Sequence, residues 1–84
     1  MRLRVWEKGT IVSGYNAKEF RKDIYGYWIK FKEYGNIMSG NGWEIDHIKP
    51  ASQGGSDDIG NLHPLQWKNN RKKADNYPWN VWDC

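Results

Sequence analysis

Two segments in the middle of the chain alternate hydrophobic and polar residues in the way that strands do. In "YGYWIKFKEYGN" the alternation surrounds Trp28, and the segment ends at the turn signal Gly35 and Asn36. In "WEIDHIK" it begins at Trp43 and stops at Pro50, which has no N–H to donate to a neighbouring strand. A period of two residues is typical of a strand with one buried face. We therefore predict a strand or hairpin in the first segment and a strand in the second.

The remaining segments are shorter. "LHPLQ" predicts a second strand, which Pro64 makes irregular or places at an edge, and "WKNNRKKAD" predicts a helix of about two turns. "LRVW" predicts a short strand that ends at Gly9. "GYNAKEFRKD" predicts a short helix in which Asn16 is the N-cap and Glu19 completes a capping box. With loops at "IMSGNG" and "SQGGSDDIGN", the pattern indicates a small α+β domain whose second half runs strand, loop, strand, helix.

The length and composition limit what can stabilise this domain. A chain of 84 residues forms a single domain with a modest core. Because Cys84 is the only cysteine, we expect neither an internal disulfide nor a structural zinc site. Six Trp, five Tyr and two Phe can compensate, since each large ring buries about 150–250 Å². We therefore expect most of these rings to pack in the core.

Charge and hydropathy narrow the possible partners. The formal net charge is +3 and the isoelectric point is near 9.1, which permits a nucleic-acid partner without requiring one. The predicted last helix concentrates the basic residues Lys68, Arg71, Lys72 and Lys73. We find no apolar run that predicts a signal peptide or a membrane span. This absence and the lone cysteine lead us to expect a cytoplasmic protein without a membrane partner.

One face of the predicted last helix carries an inward-pointing amide. That face contains four residues at the helical spacings i, i+3, i+4 and i+7, which are Trp67, Asn70, Arg71 and Ala74. An unpaired amide there would cost about 1–3 kcal/mol. A hard divalent cation between Asn70 and the carboxylate of Asp46 would satisfy both groups. Two protein oxygens leave an open coordination shell, which suits a metal that binds a phosphodiester.

The next residue in the strand, His47, supplies a general base. A neutral imidazole can take a proton from water near neutral pH, provided that it is held in one orientation. We predict that a carbonyl oxygen of Asn61 accepts the other ring N–H. The alternative that Asn61, after Gly60, is a turn residue stays open, because Asn tolerates the left-handed conformation. Neighbours in a regular strand point to opposite faces, so Asp46 and His47 can share a site only at a frayed or strongly twisted strand end.

The motif "IDHIKP…GGSDDIGNL…NNRKKAD" resembles the HNH endonuclease family, which is built on the ββα-metal finger. The resemblance divides the chain into bracing residues 1–42, a finger over 43–75 and a tail over 76–84. Residues 1–42 are similar to small stand-alone HNH proteins of phages and bacteria. By this resemblance, Asp46 and Asn70 bind the metal, His47 is the general base, and Asn61 orients that base. Lys73 matches the lysine that often follows the last ligand.

The sequence departs from the family pattern in two ways. Asn70 occupies the position of the last His in the family name, and Cas9-type members also have Asn there. An amide oxygen in place of an imidazole nitrogen favours Mg²⁺ or Mn²⁺ over Zn²⁺ or Ni²⁺. The CxxC pairs of many relatives are absent, so residues 1–42 must brace the finger. Arg71 and Lys73 are expected to contact phosphates beside the metal, with a solvated helix face as the alternative. Asp57 and Asp58 are assigned to turn or capping roles, His63 to packing, and Glu44 to a structural ion pair.

The resemblance implies a metal-dependent DNA endonuclease of low sequence specificity. We expect it to bind the backbone of double-stranded DNA as a monomer or weak dimer, alone or within a larger phage or host complex. One metal and one base would serve one strand, so a monomer should nick. Two alternatives stay open: a non-catalytic nucleic-acid-binding module, and an RNase or toxin-type nuclease with the same finger.

Overall fold

The structure, a computed structural model, describes residues 1–74 and 76–78. Its main elements are α1 (Arg2–Trp6), β1 (Phe20–Lys22), β2 (Trp28–Lys30), β3 (Trp43–His47), β4 (Leu62–Gln66) and α2 (Trp67–Lys73). Single 3-10 turns lie at Phe31–Glu33, Ala51–Gln53 and Ile59–Asn61. The predicted α+β class is confirmed. Asp75, residues 79–84 of the predicted tail and the lone Cys84 lie outside the described residues.

The strands form two separate antiparallel pairs, β1 with β2 and β3 with β4. In the second pair Asp46 lies opposite His63, and His47 lies opposite Leu62. Pro64 lies opposite Ile45, and a two-stranded sheet tolerates proline because each strand is also an edge. β4 continues directly into α2, so the predicted order of strand, loop, strand and helix is confirmed. No helix in the described ranges is long and apolar enough to cross a bilayer.

The prediction of a strand at "LRVW" is wrong, because this segment forms α1. Hydrophobic residues that favour strands also occur in short helices when tertiary contacts compensate their propensity. Here α1 buries Val5 and Trp6 completely, and the Trp6 indole Nε1 donates to the carbonyl of Ala17 at 2.9 Å. Burial of these two side chains therefore decides the conformation of the segment.

The helix predicted for "GYNAKEFRKD" is also absent. Asn16 Oδ1 accepts from the backbone N–H of Lys18, two residues on, which is an Asx turn rather than a helix cap. The chain then enters β1, where Arg21 is almost fully buried. Its guanidinium donates to the carbonyls of Glu7 and Gly9 at 2.9 and 3.1 Å. An extended backbone at Arg21 thus ties α1 and its following turn to the β1–β2 pair.

An aromatic core connects the N-terminal residues to the β3–β4 pair. The buried hydrophobic cluster contains Val5, Trp6, Ile29, Trp43 and Leu62. The rings of Trp6 and Trp43 lie 5.2 Å apart between centroids, and Phe31 packs against Trp6 at 5.4 Å. Such tilted and edge-to-face pairs add to the burial of apolar area. β3 and β4 therefore share one core with α1 and β2.

A buried carboxylate forms a second connection. Asp23, in the turn after β1, is 1% exposed. Its Oδ2 accepts from the backbone N–H of Gln66 at 3.0 Å and from Asn69 Nδ2 at 3.1 Å. Its Oδ1 accepts from the backbone of Tyr25 and Tyr27. Asp23 therefore fixes the first turn of α2 relative to the β1–β2 hairpin.

Candidate functional site

A cavity of about 290 Å³ lies between the end of β3 and the last turn of α2. It is lined by Ile45, Asp46, His47, Pro50, Ala51, Ser52, Asn70 and Ala74. Asp46 and His47 both reach it because His47 is the last residue of β3, where the alternation of a regular strand ends. Three of the residues predicted from sequence, Asp46, His47 and Asn70, thus surround one cavity.

Two donors hold the carboxylate of Asp46, which is 6% exposed. His63 Nε2 lies 2.7 Å from Oδ2, and Lys73 Nζ lies 3.3 Å from both carboxylate oxygens. A buried carboxylate requires such compensation. His63 is itself buried, and its position opposite Asp46 in the β3–β4 register brings the two side chains to one face. The register that pairs His63 with Asp46 is not visible in the sequence, from which we predict only a packing role for His63.

Lys73 lies inside the molecule, although the sequence suggested a phosphate contact. It is 3% exposed, and its ammonium also donates to the backbone carbonyl of His47 at 2.9 Å. The ammonium therefore bridges the two adjacent residues Asp46 and His47. A cation this deeply buried and paired does not fit direct contact with a phosphate backbone. It neutralises Asp46 and holds the end of β3 against α2.

Glu44 determines the orientation of the Asn70 amide. Asn70 Nδ2 donates to Glu44 Oε1 at 2.9 Å, and Arg71 Nη2 donates to Oε2 at 3.1 Å. Partial burial raises the pKa of Glu44, but the hydrogen bonds from Arg71 and Asn70 outweigh it and lower the pKa from its ordinary value. The ion pair expected for Glu44 is thus present. Because Nδ2 is held by Glu44, the Asn70 oxygen is the amide atom that remains for a cation.

Of the two cations predicted to contact phosphate, Arg71 lies on the surface. Its side chain is 59% exposed and forms its ion pair with Glu44. The guanidinium is therefore within reach of a ligand that approaches α2 from solvent. Arg71 thus has the exposure that a phosphate contact requires, in contrast to Lys73.

The ring of His47 bonds to a loop carboxylate that the sequence assigned to a turn. His47 Nε2 lies 2.7 Å from Asp57 Oδ1. The His47 side chain is 34% exposed and that of Asp57 is 94% exposed. Neither periodicity nor spacing indicates this pair, because it depends on the path of the loop between β3 and β4.

Asn61 holds that loop in place. Its Oδ1 accepts from the backbone N–H of Lys49 at 2.8 Å, and its Nδ2 donates to the carbonyls of Lys49 and Ser56 at 3.0 and 2.7 Å. Its backbone carbonyl accepts from the N–H of Ile48 at 2.8 Å. We predicted that a carbonyl of Asn61 accepts the His47 ring N–H, but the donors at these oxygens are backbone groups of residues 48 and 49. Asn61 therefore contacts the loop that follows His47.

The Gly-Gly pair allows the loop to fold back on itself. Gly54 has φ of +87°, in the left-handed region that favours glycine. At Gly55, an added Cβ would lie 1.7 Å from the carbonyl oxygen of Lys49. The backbone thus approaches more closely than any side chain would permit, and this close approach brings the segment from Ser56 onward back to Asn61.

The side chains around the cavity fit a hydrated divalent cation. Among residues 1–74 and 76–78, no group of three or more His, Cys, Asp or Glu is arranged to hold a metal. The oxygen groups that line the cavity are instead the Asp46 carboxylate, which already accepts from His63 and Lys73, and the Asn70 amide. Hard cations such as Mg²⁺ accept a few protein oxygens and keep several waters, and the cavity leaves room for them. The donor set therefore fits an open metal site.

Comparison with known proteins assigns the chain to a family. A family model described as HNH endonuclease matches residues 28–76, which is more than half of the chain. The match includes β2, the β3–β4 pair and α2, and thus every residue of the candidate site. Searches of curated proteins and of solved structures found no match.

Proposed function

The chain belongs to the HNH endonuclease family, whose members are nucleases, and from this premise we propose that it is a metal-dependent DNA endonuclease. The observation that carries the proposal is the convergence of Asp46, His47 and Asn70 on one open cavity. A carboxylate, an amide oxygen and an imidazole are the groups that metal-assisted hydrolysis of a phosphodiester requires. A protein that only binds nucleic acid has no need to assemble them.

In the proposed reaction, His47 takes a proton from the water that attacks phosphorus. Asp46 and Asn70 hold the divalent cation, with Mg²⁺ or Mn²⁺ preferred over Zn²⁺ or Ni²⁺ because both ligands are hard oxygens. When bound, the cation supplies Lewis-acid stabilisation of the charge that develops on the phosphate and the leaving oxygen. Arg71, which is exposed beside Asn70, contacts the DNA backbone.

The buried neighbours of the site keep these groups in position. His63 and Lys73 fix the carboxylate of Asp46 by hydrogen bonds of 2.7 and 3.3 Å. Glu44 orients the amide of Asn70, and Asn61 braces the loop next to His47. We assign Lys73 and Asn61 to positioning, since their contacts are internal.

The proposed product is a nick. A single base and a single cation serve one strand at a time, so a monomer nicks and a double-strand break requires two copies or two encounters. Contacts to phosphate carry no sequence information, and we propose low sequence specificity on that basis.

Conversion of supercoiled plasmid to open-circle and linear forms tests the proposal. We expect the wild type to nick in Mg²⁺ or Mn²⁺ and not in EDTA. Loss of the general base in His47→Ala should slow nicking about 10²–10⁴-fold. Asn70→Ala should need more metal to reach the same rate, and circular dichroism should show that both variants are folded.

Two results would contradict this function. Absence of cleavage by the wild type, with DNA bound equally by wild type and His47→Ala, would indicate a binding module. Faster cleavage of a matched RNA duplex under the same conditions would indicate a ribonuclease.

A further inference from the structure

We propose that Asp57 is the residue that positions His47 for catalysis. The inference rests on the proposed function and adds a residue to its machinery. It starts from the 2.7 Å contact between Asp57 Oδ1 and His47 Nε2. Sequence reasoning gave the orienting role to Asn61, whose hydrogen bonds instead pin the loop.

The chemistry of the pair defines what Asp57 does. An ionised carboxylate only accepts hydrogen bonds, so Nε2 of His47 must carry the hydrogen in this contact. In a neutral imidazole the other nitrogen, Nδ1, then has the free lone pair. Asp57 therefore selects Nδ1 as the atom that takes the proton from water, and it limits rotation of the ring.

The loop holds Asp57 beside His47 because hydrogen bonds fix Ser56 and Asp58, the two neighbours of Asp57 in the chain. The carbonyl of Ser56 accepts from Asn61 Nδ2 at 2.7 Å, and the carbonyl of Asp58 accepts from the Asn61 N–H at 2.8 Å. Ser56 Oγ also bonds to Asp58 Oδ2 at 3.2 Å. The Asp57 carboxylate lies between two fixed residues although its own side chain is 94% exposed. Asn61 thus acts on His47 by holding the segment that carries Asp57.

An electrostatic alternative makes the opposite prediction. An exposed carboxylate beside a site for DNA repels phosphate, so its removal would strengthen binding and accelerate cleavage. Positioning and repulsion can be separated with two variants at residue 57. Asp57→Asn removes the charge but keeps an oxygen that can accept from Nε2, whereas Asp57→Ala removes both. Asp58→Asn is the matched control, because it removes a neighbouring charge from the same loop and keeps an oxygen that can accept from Ser56 Oγ.

Steady-state nicking kinetics form the first test. Positioning predicts that Asp57→Ala lowers kcat about 10- to 100-fold, as is typical when the partner that orients a functional histidine is lost. Asp57→Asn should keep most of kcat, and Asp58→Asn should match the wild type. Equal kcat values in Asp57→Ala and Asp57→Asn, or faster cleavage by both, would overturn the proposal.

The second test needs neither DNA nor metal. Carbon-13 relaxation at Cε1 of the His47 ring reports its order on the ps–ns timescale. The ring should be more mobile in Asp57→Ala than in wild type and Asp58→Asn, with Asp57→Asn close to wild type. An unchanged ring in Asp57→Ala would overturn the positioning role even if the protein is a nuclease. If the wild-type protein has an ordered His47 ring but cuts no DNA, the proposed function is overturned. The catalytic role of Asp57 is then overturned with it.

Discussion

Glu44 links a surface ion pair to the proposed metal site. It holds Asn70 Nδ2 at 2.9 Å on one carboxylate oxygen and Arg71 Nη2 at 3.1 Å on the other. If the carboxylate is removed, the amide of Asn70 can rotate and present either nitrogen or oxygen to the cavity. The preference for oxygen, which a hard cation needs, therefore depends on Glu44.

We predict that Glu44→Ala weakens Mn²⁺ binding about 10- to 100-fold, because partners that orient a metal ligand typically contribute this much. Glu44→Gln keeps an oxygen that can accept from Asn70, so its affinity should lie between those of Glu44→Ala and the wild type. Isothermal titration with Mn²⁺ in the absence of DNA measures both. Arg71→Gln is the control, since it removes the other partner of Glu44 and leaves Asn70 held. Wild-type affinity in Glu44→Ala would show that the Asn70 amide is oriented by other groups.

The same contacts make part of the stability depend on pH. Burial raises the pKa of Glu44, yet the hydrogen bonds from Arg71 and Asn70 bring it below its ordinary value of 4.5. A carboxyl group whose pKa is lower in the folded protein than in the unfolded chain stabilises the folded state at pH values above the unfolded-state pKa. This stabilisation is lost as the pH falls through the folded-state pKa. We expect the difference in unfolding free energy between wild type and Glu44→Gln to be constant near neutral pH and to shrink below about pH 4.5. Urea unfolding from pH 3 to 7 tests this, and a difference that grows on acidification would contradict it.

At the scale of elements, the turn after β1 fixes the start of α2. Asp23 accepts hydrogen bonds from Gln66 and Asn69 across more than forty positions of sequence. Gln66 in turn caps α2, because its Oε1 accepts from the Asn69 N–H at 3.1 Å. The direction in which α2 leaves β4, and hence the position of Asn70, therefore depends on a residue of the other hairpin.

Replacement of Asp23 by Ala should destabilise the protein by about 2–4 kcal/mol. It leaves the buried amide of Asn69 and the backbone N–H of Gln66 without their acceptor, and hydrogen bonds to charged groups contribute about 1.5–3 kcal/mol each. Asp58→Asn is the control, because it removes an exposed charge in the other long turn and keeps an oxygen that accepts from Ser56 Oγ; it should change stability by less than about 0.5 kcal/mol. Chemical denaturation followed by circular dichroism measures both. Equal stabilities would show that α2 does not depend on Asp23.

The elements that were predicted correctly are those whose local pattern agrees with their tertiary environment. β3 shows the two-residue alternation in its sequence, and the spacing of Trp67, Asn70 and Ala74 predicted the helix α2. The predicted packing face is wrong, because α2 buries Asn69 and Lys73 and exposes Ala74. α1 and β1 have only three to five residues, which is too short for a period to emerge, and they are defined by the burial of Trp6 and Arg21. Short elements take their conformation from the core rather than from propensity.

The site follows the same rule. Asp46, His47 and Asn70 were predictable because a motif with fixed spacing contains them, and the cavity that they line is compatible with that prediction. The partners His63, Lys73 and Asp57 were assigned other roles. His63 depends on the register of β4, the burial of Lys73 depends on how α2 packs, and Asp57 depends on the path of a loop. These are three-dimensional relations that spacing does not encode.

At the scale of the whole molecule, the core that supports the finger extends beyond it. The family match covers residues 28–76, yet the core that supports β3 includes Val5 and Trp6 from outside this range. A single domain of this size has about 5–15 kcal/mol of stability. One large side chain from α1 can therefore decide whether the site is assembled.

We predict that Trp6→Ala destabilises the protein by about 3–5 kcal/mol. We expect the variant to show no cleavage at 37 °C or at lower temperatures. The substitution removes a fully buried indole and one of the two donors to the carbonyl of Ala17, which also accepts from Arg21 Nε at 2.9 Å. Trp28→Ala is the matched control, because Trp28 is half-buried against Tyr15 and Phe20 on the side of the β1–β2 pair away from Ile29. It should cost less stability and leave cleavage measurable. Thermal unfolding and plasmid nicking on the same samples decide the question: a folded, active Trp6→Ala protein would mean that residues 28–76 support the site without α1.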